Sequence, residues 1–307
     1  MDNKDSFLQP KVAQYGGHMV MTNVSKPTKI KYCNIDTRFH DDYDNYSQTV
    51  NGRPVPWFTM TLPQPITDVK SIMAVNIEIP ISFYNISATL ENNVIRIDGS
   101  NVVIPDGFYD SARLKTEVIK QLVVSGISGL TFDISYSHCI FTNARSSPIV
   151  IQTAVKHGCS NSVVAEFDKY NIKSKLGWLL GFRTVSFTIE AGQTYSSESV
   201  LDLNTPRYLY LAVDEFTSGT QASFISPLTN SIVNKNILAK ISLDYDRYKY
   251  GYVIPANEYN GLLRSETRSY NGKVDLQKLK VQLLNEYGNA IHLNGLDFSF
   301  CLKIEYE

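Results

Sequence analysis

Little in this sequence is made for membranes, polyanions or covalent cross-links. No apolar run approaches the roughly 20 residues that a membrane-crossing helix requires, which predicts no membrane span. Neither sign of charge is in excess: 29 Lys and Arg stand against 30 Asp and Glu, a formal −1. A surface that neutralises many phosphates or coats an anionic membrane carries a clear cationic surplus, so no nucleic-acid contact is required. Cysteine is sparse. Cys33, Cys139, Cys159 and Cys301 stand at wide, irregular intervals, the pattern of reduced, mostly buried thiols and not of a disulfide framework. The opening MDNKDSFLQPKVAQYGG is polar and has no apolar signal-peptide segment, which predicts a protein made and kept in the cytoplasm. On that reading the Asn-x-Ser triplets at Asn23, Asn45 and Asn85 are chance matches and not glycosylation sites.

Catalytic signatures are missing as well. There is no G-x-S-x-G nucleophile turn, no phosphate-cradling G-x-x-x-x-G-K-[ST] and no dinucleotide G-x-G-x-x-G. Gly126-Ile127-Ser128-Gly129 reads as a helix stop and turn. The histidines are scattered, and carboxylates are too many for a pair to be singled out, so a two-carboxylate glycosidase stays open only as an alternative. The sequence therefore predicts no catalytic residues, no cofactor and no resident metal.

Two metal patterns deserve weighing. His138-Cys139 followed by His157 and Cys159 offers zinc-type ligands, but neighbours on a strand point to opposite faces and ordinary zinc spacings are absent. Buried Cys and surface His are the plainer reading. His40-Asp41-Asp42-Tyr43-Asp44-Asn45 is acidic, yet an EF-hand loop beginning at Asp42 needs Gly sixth and Glu twelfth, where this chain has Ser47 and Arg53. A loop that satisfies its own backbone through Asx turns fits better.

What is present is the material of strands and turns: nineteen Tyr and fourteen Phe, with abundant Val, Ile, Ser, Thr and Asn. Residues 1–28, broken by Pro10, Gly16, Gly17 and Pro27, read as an extended N-terminal arm, with plain terminal disorder as the alternative. Residues 29–307 read as one all-β domain with an insertion or two. Lys29–Ile35 is a strand and Asp36–Pro56 a long loop. Trp57–Leu62 and Val69–Ile79 form a strand pair separated by a turn at Pro63 and Pro65, the second presenting Ser71, Met73, Val75, Ile77 and Ile79 on one face. Asn92–Pro105 is a hairpin turning at Asp98-Gly99-Ser100-Asn101. Ser111–Val124 is the one amphipathic helix, with Leu114, Val118 and Leu122 on its stripe, Ser111 as cap and Gly126 as stop. Short strands follow at Leu130–Ser135, Cys139–Asn143 and Ile149–Thr153, then a helical or turn segment at Phe167–Phe182. Arg207–Asp214, Ile237–Leu243, Tyr245–Ile254, Leu279–Leu284, Ala290–Leu293 and Leu296–Tyr306 complete about ten strands, spaced as in a β-sandwich; Leu276, Leu279 and Leu283 would equally suit a helix.

Tyr245, Tyr248, Tyr250 and Tyr252, interleaved with Arg247 and Lys249, admit two readings. They form a base-stacking strip or, better suited to a neutral chain, a packed stripe or subunit interface in which Tyr and Arg are enriched.

Several blocks together resemble a known family. They are Tyr32-Cys33-Asn34-Ile35-Asp36-Thr37-Arg38-Phe39; Phe58–Leu62 running into ITDVKSIMAVNIEIP; Ile104-Pro105-Asp106-Gly107-Phe108-Tyr109; Leu176-Gly177-Trp178-Leu179-Leu180-Gly181-Phe182-Arg183; VQLLNEYGNAIHL; and Asp297-Phe298-Ser299-Phe300-Cys301-Leu302-Lys303-Ile304-Glu305. Spread over residues 30–307, they are similar to the penton and minor capsid proteins of nucleocytoplasmic large DNA viruses, the giant viruses. The resemblance implies a single jelly-roll β-sandwich with loop insertions. It implies a structural capsid protein of the virion, assembled in the host cytoplasm. As a penton it would form a homopentamer at the fivefold vertex of an icosahedral shell, partnered by a double jelly-roll major capsid protein and by minor capsid proteins. No catalytic residue comes with the family. The alternatives are a minor capsid or cement protein between or beneath capsomers, and a receptor- or glycan-binding fibre module, which would need a concave, aromatic-lined site.

Overall fold

Alternating and continuous apolar runs from Lys29 onward fold into strands in the computed structural model of the chain, which describes residues 27–41, 49–50, 53–54, 57–155, 172–216 and 236–307. The expected arm, all but its last two residues, lies outside them. The strands are β1 (Lys29–Asp36), β2 (Thr49–Val50), β3 (Arg53–Pro54), β4 (Phe58–Pro80), β5 (Val94–Ile97), β6 (Ser100–Val103), β7 (Leu130–Ser135), β8 (His138–Asn143) and β9 (Ile149–Gln152). After them come β10 (Ser186–Ile189), β11 (Thr194–Ser196), β12 (Tyr208–Asp214), β13 (Ile237–Ser242), β14 (Val253–Asn257), β15 (Leu263–Ser265), β16 (Arg268–Leu284) and β17 (Ser299–Tyr306). Among the described residues two α-helices accompany them, α1 (Ser111–Val124) and the single turn α2 (Leu176–Leu179).

All pairings between these strands are antiparallel. Eight strands make one sheet in the order β1-β17-β4-β16-β12-β13-β15, with β14 also against β4. That sheet curls around a core containing Val69, Ile77, Ile79, Leu209, Leu211, Leu279, Val281 and Leu302, giving the jelly-roll β-sandwich. Each such side chain contributes roughly 1.5–3 kcal/mol by leaving water. A second core occupies the chain between Ile86 and Leu203. There the sheets β10-β9-β5-β6 and β11-β8-β7 enclose Ile95, Ile97, Phe132, Phe141, Ile151 and Phe182, and α1 adds Leu114, Val118 and Leu122. The sandwich thus carries an inserted lobe, left and re-entered through Phe83–Ile86 and Leu203–Arg207.

Several expectations change here. The turn at Pro63 and Pro65 is not formed: residues 58–80 are one strand of 23 residues. Proline is tolerated because between Thr61 and Ile66 the ladder to β16 is interrupted, and β17 pairs with β4 only from Val69 onward, so neither ring displaces a ladder donor. The face assigned to β4 is also corrected. Ile72 and Ala74 are buried, and then Ile77 and Ile79. The reversal occurs at Val75, where Cys301 pairs with Asn76 and Leu302 with Ala74. One extra residue in a strand exchanges its two faces. The hairpin turns on Asp98-Gly99 alone, both at positive φ (47° and 83°), with Ser100 already paired to Ile97. Helix α1 has the expected bounds, but its cap is Asp110, whose carboxylate accepts the Arg113 N–H at 2.8 Å.

Tyr245–Ile254 is not a strand before Val253. Asp244 draws the chain into turns: its carboxylate accepts the N–H groups of Asp246 and Arg247, and its carbonyl accepts that of Tyr248. Ala290–Leu293 forms only an isolated bridge from Ala290 to Leu284. Leu276, Leu279 and Leu283 all lie in β16. β2 and β3, inside the expected loop Asp36–Pro56, and β10, β11 and β15 had no counterpart in the sequence reading, and β14 overlaps the expected strand only at Val253 and Ile254. All are two to five residues long, too short to display a period.

Candidate functional site: a cleft between the lobes

The seam between sandwich and inserted lobe is held by Asn85. Its side chain is buried, and its amide donates to the carbonyls of Tyr109 (2.9 Å) and Leu203 (3.1 Å) while its oxygen accepts the Tyr109 N–H (2.9 Å). The sequon at Asn85 is thereby consumed by the fold. Asn23 and Asn45 lie outside the described residues.

Beside this seam opens a cleft of about 700 Å³. One wall is the lead into α1, with Phe108, Tyr109, Asp110, Ser111 and Arg113; Ile134 and Ser137 flank it. The returning crossover Leu201–Asn204 forms the back, and the sandwich supplies Tyr245, Lys249 and Tyr250. A smaller hollow of about 390 Å³ continues it past Asp202 and Asn204 towards Arg207, Asp244 and Asp246. Phe108 and Tyr250 stack across the seam with ring centroids 4.8 Å apart, and Phe108 meets Tyr245 at 6.2 Å. The Tyr245 hydroxyl donates to the Pro206 carbonyl and the Tyr109 hydroxyl to that of Pro105, both at 2.8 Å. Burial pushes the phenols of Tyr109 and Tyr245 up. Both therefore remain neutral walls and not acids.

The charged groups of the cleft are already engaged. Asp110 caps α1; Asp202 holds Arg207 at 2.5 Å and accepts the Asn204 N–H. Arg113 donates to the Phe108 carbonyl and Lys249 to that of Tyr245. Arg207 in turn gives its backbone N–H to Glu286, which also accepts the Thr205 hydroxyl. Burial outweighs these bonds and raises the Glu286 carboxyl.

The residues singled out from sequence fall elsewhere or are split up. His138 and Cys139 point to opposite faces of β8, the first half-buried with Nδ1 2.9 Å from the Ser197 carbonyl, the second fully buried. Burial alone pushes the Cys139 thiol up to about 12, far from a ligating thiolate. His157 and Cys159 lie outside the described residues, as do Asp42, Tyr43, Asp44, Asn45 and Ser47. Asp41 is spent on the free margin of β4, accepting the Thr61 N–H and hydroxyl, each at 2.8 Å. Of the tyrosine run, Tyr245 and Tyr250 enter the cleft, Tyr248 packs on the sandwich core, and Tyr252 is exposed. No continuous stacking strip exists.

Phe108, Asp110, Asp202 and Asn204 were not recognised as site residues. Phe108 lies in a block read for its family resemblance, and Asp110 is passed over because Ser111 reads as the helix cap. The cleft joins four separate stretches of chain, and no local pattern announces that.

No family model matches the sequence, and no curated protein matches it. A solved structure does. It is the crystal structure of the selenomethionine-labelled mavirus penton protein, 12% identical, with 91% of this chain and 100% of that one covered at a TM-score of 0.45.

Proposed function

We propose that this chain is a structural capsid protein and that residues 29–307 act as one building block, five copies of which close a fivefold vertex. The observation that carries the reading is where the capsid-like sequence blocks meet. Tyr32–Phe39, Phe58–Pro80, Val281–Leu293 and Asp297–Glu305 are far apart in the chain, yet β1, β17, β4 and β16 lie side by side in one sheet. Four of the six blocks thus fall in one contiguous half of the sandwich, while Ile104–Tyr109 and Leu176–Arg183 belong to the inserted lobe.

Two further features support it. The sandwich buries its own core, so it offers a rigid unit that needs no ligand to fold. Among the described residues, the sheet ends in two dissimilar strands, β1 with exposed Ile30 and Tyr32, and β15 with Arg264. A closed ring joins unlike patches head to tail, and a subunit with two different flanks suits that geometry. A double jelly-roll major capsid protein and minor capsid proteins are the neighbours such a ring would meet in a virion assembled in the host cytoplasm.

The test is native mass spectrometry of the purified chain, with its position in an icosahedral particle map. Pentamers and density at the fivefold axes are expected. Trimers, or occupancy of local threefold positions, would refute the vertex assignment.

A further inference from the structure

We propose that the cleft between the lobes binds a neutral oligosaccharide. The inference rests on the lining alone and is independent of where the chain sits in a capsid.

Charge disfavours the obvious alternatives. The main cleft carries two carboxylates, Asp110 and Asp202, and two cations, Arg113 and Lys249, so their formal charges cancel. Each already has a partner within the protein. Arg113 and Lys249 keep their charge, but over the cleft and its adjoining hollow four carboxylates (Asp110, Asp202, Asp244 and Asp246) face three cations (Arg113, Arg207 and Lys249). That balance does not favour a phosphate, sulfate or sialic acid. Among the described residues no group of three His, Cys, Asp or Glu is placed to hold a metal. Asp110 is engaged by the first turn of α1 and Asp202 by Arg207, so the main cleft offers no carboxylate pair free of internal partners. That favours holding a glycosidic chain over cleaving it.

What remains available is what a sugar needs. Phe108 and Tyr250 form a stacked shelf, and Tyr250 stays 44% exposed; an aromatic face packs against the C–H face of a pyranose ring as it does against other apolar groups. Around it, the Ser111 and Ser137 hydroxyls and the Asn204 side-chain amide have no partner among the described residues. These groups donate and accept at once, as vicinal hydroxyls require. The volume falls within the range of about 300–1,000 Å³ typical of small-ligand sites, and junctions between lobes are where such sites occur. Two of the wall's tyrosines are fixed through their hydroxyls to backbone carbonyls, so little ordering is left for the ligand to impose.

The experiment is a glycan array probed with the full chain, carrying neutral hexose and N-acetylhexosamine oligosaccharides beside sialylated and sulfated ones. Isothermal titration of the best neutral oligosaccharide follows. Binding to neutral members is expected. It should weaken about tenfold or more in Tyr250→Ala, the scale of one lost aromatic stack, and persist in Tyr250→Phe. Ser111→Trp, on the exposed first turn of α1, should block the cleft without entering either core, and decides the matter if the alanine variant does not fold. No neutral binding at millimolar sugar, binding confined to acidic glycans, or affinity unchanged in folded Tyr250→Ala and Ser111→Trp each overturns the proposal.

Discussion

At the scale of single residues, the charges that matter are the few taken out of water. Arg268 and Glu215 are fully buried and meet at 2.5 Å, where β16 begins and β12 has just ended. Arg268 also donates to the Val213 carbonyl, and Tyr270 donates to Glu215. Nε and Nη2 of the arginine and Oε2 of the glutamate have no partner among the described residues, so the pair contributes placement more than stability. Glu286 yields a measurable effect. Burial raises its folded carboxyl above the ordinary 4.5, so the folded state binds the proton more tightly than the unfolded chain. Its charged form costs stability at neutral pH, and that cost is relieved as pH falls through the raised value towards 4.5. Urea unfolding of the parent and Glu286→Gln should therefore show the difference, parent minus variant, rising as the solution is acidified across that window. A difference that is flat or falls contradicts the assignment.

At the scale of elements, two glycines explain the LGWLLGF segment. A Cβ on Gly177 would lie 2.2 Å from Thr153 Cβ, and one on Gly181 would lie 2.1 Å from the Ser199 carbonyl oxygen. Gly181 also sits at φ +93°. Gly181→Ala should destabilise the chain by about 2 kcal/mol or more, since strain and overlap coincide, and thermal melting measures it; an unchanged melting temperature would show that this close approach is not real. The same scale shows what the sequence could express. The bounds of α1, the Asp98-Gly99 turn and the strands from Leu130 to Gln152 were legible because periodicity and turn chemistry act over a few residues. The face reversal at Val75 was not, because a bulge is a property of two paired strands and the partner lies in β17. The prolines of β4 misled for the same reason: their harm depends on which ladder positions the neighbours occupy. Asp244 turned an aromatic run from strand to turns through its side chain, a choice that composition alone does not reveal. The cleft needed α1, the returning crossover and the 245–250 turns together, so only its pieces were visible.

At the scale of the whole molecule, the inserted lobe leaves and returns at one place. The Asn85 amide touches the Leu203 carbonyl at 3.1 Å, so the two crossovers lie side by side, and the lobe between them holds its own core. Replacing residues 86–203 with a short Gly-Ser bridge from Asn85 to Asn204 should leave the eight-stranded sheet folded. Far-ultraviolet circular dichroism of an antiparallel β protein and cooperative urea unfolding are expected; an aggregated or unfolded product would show that the sandwich depends on its insertion. A junction with both chain ends together also has a historical meaning. A segment inserted there can be lengthened, lost or exchanged for another by two neighbouring cuts in a gene, without disturbing the register of any strand in the sandwich. Selection can then act on the lobe while the sandwich that carries it stays as inherited.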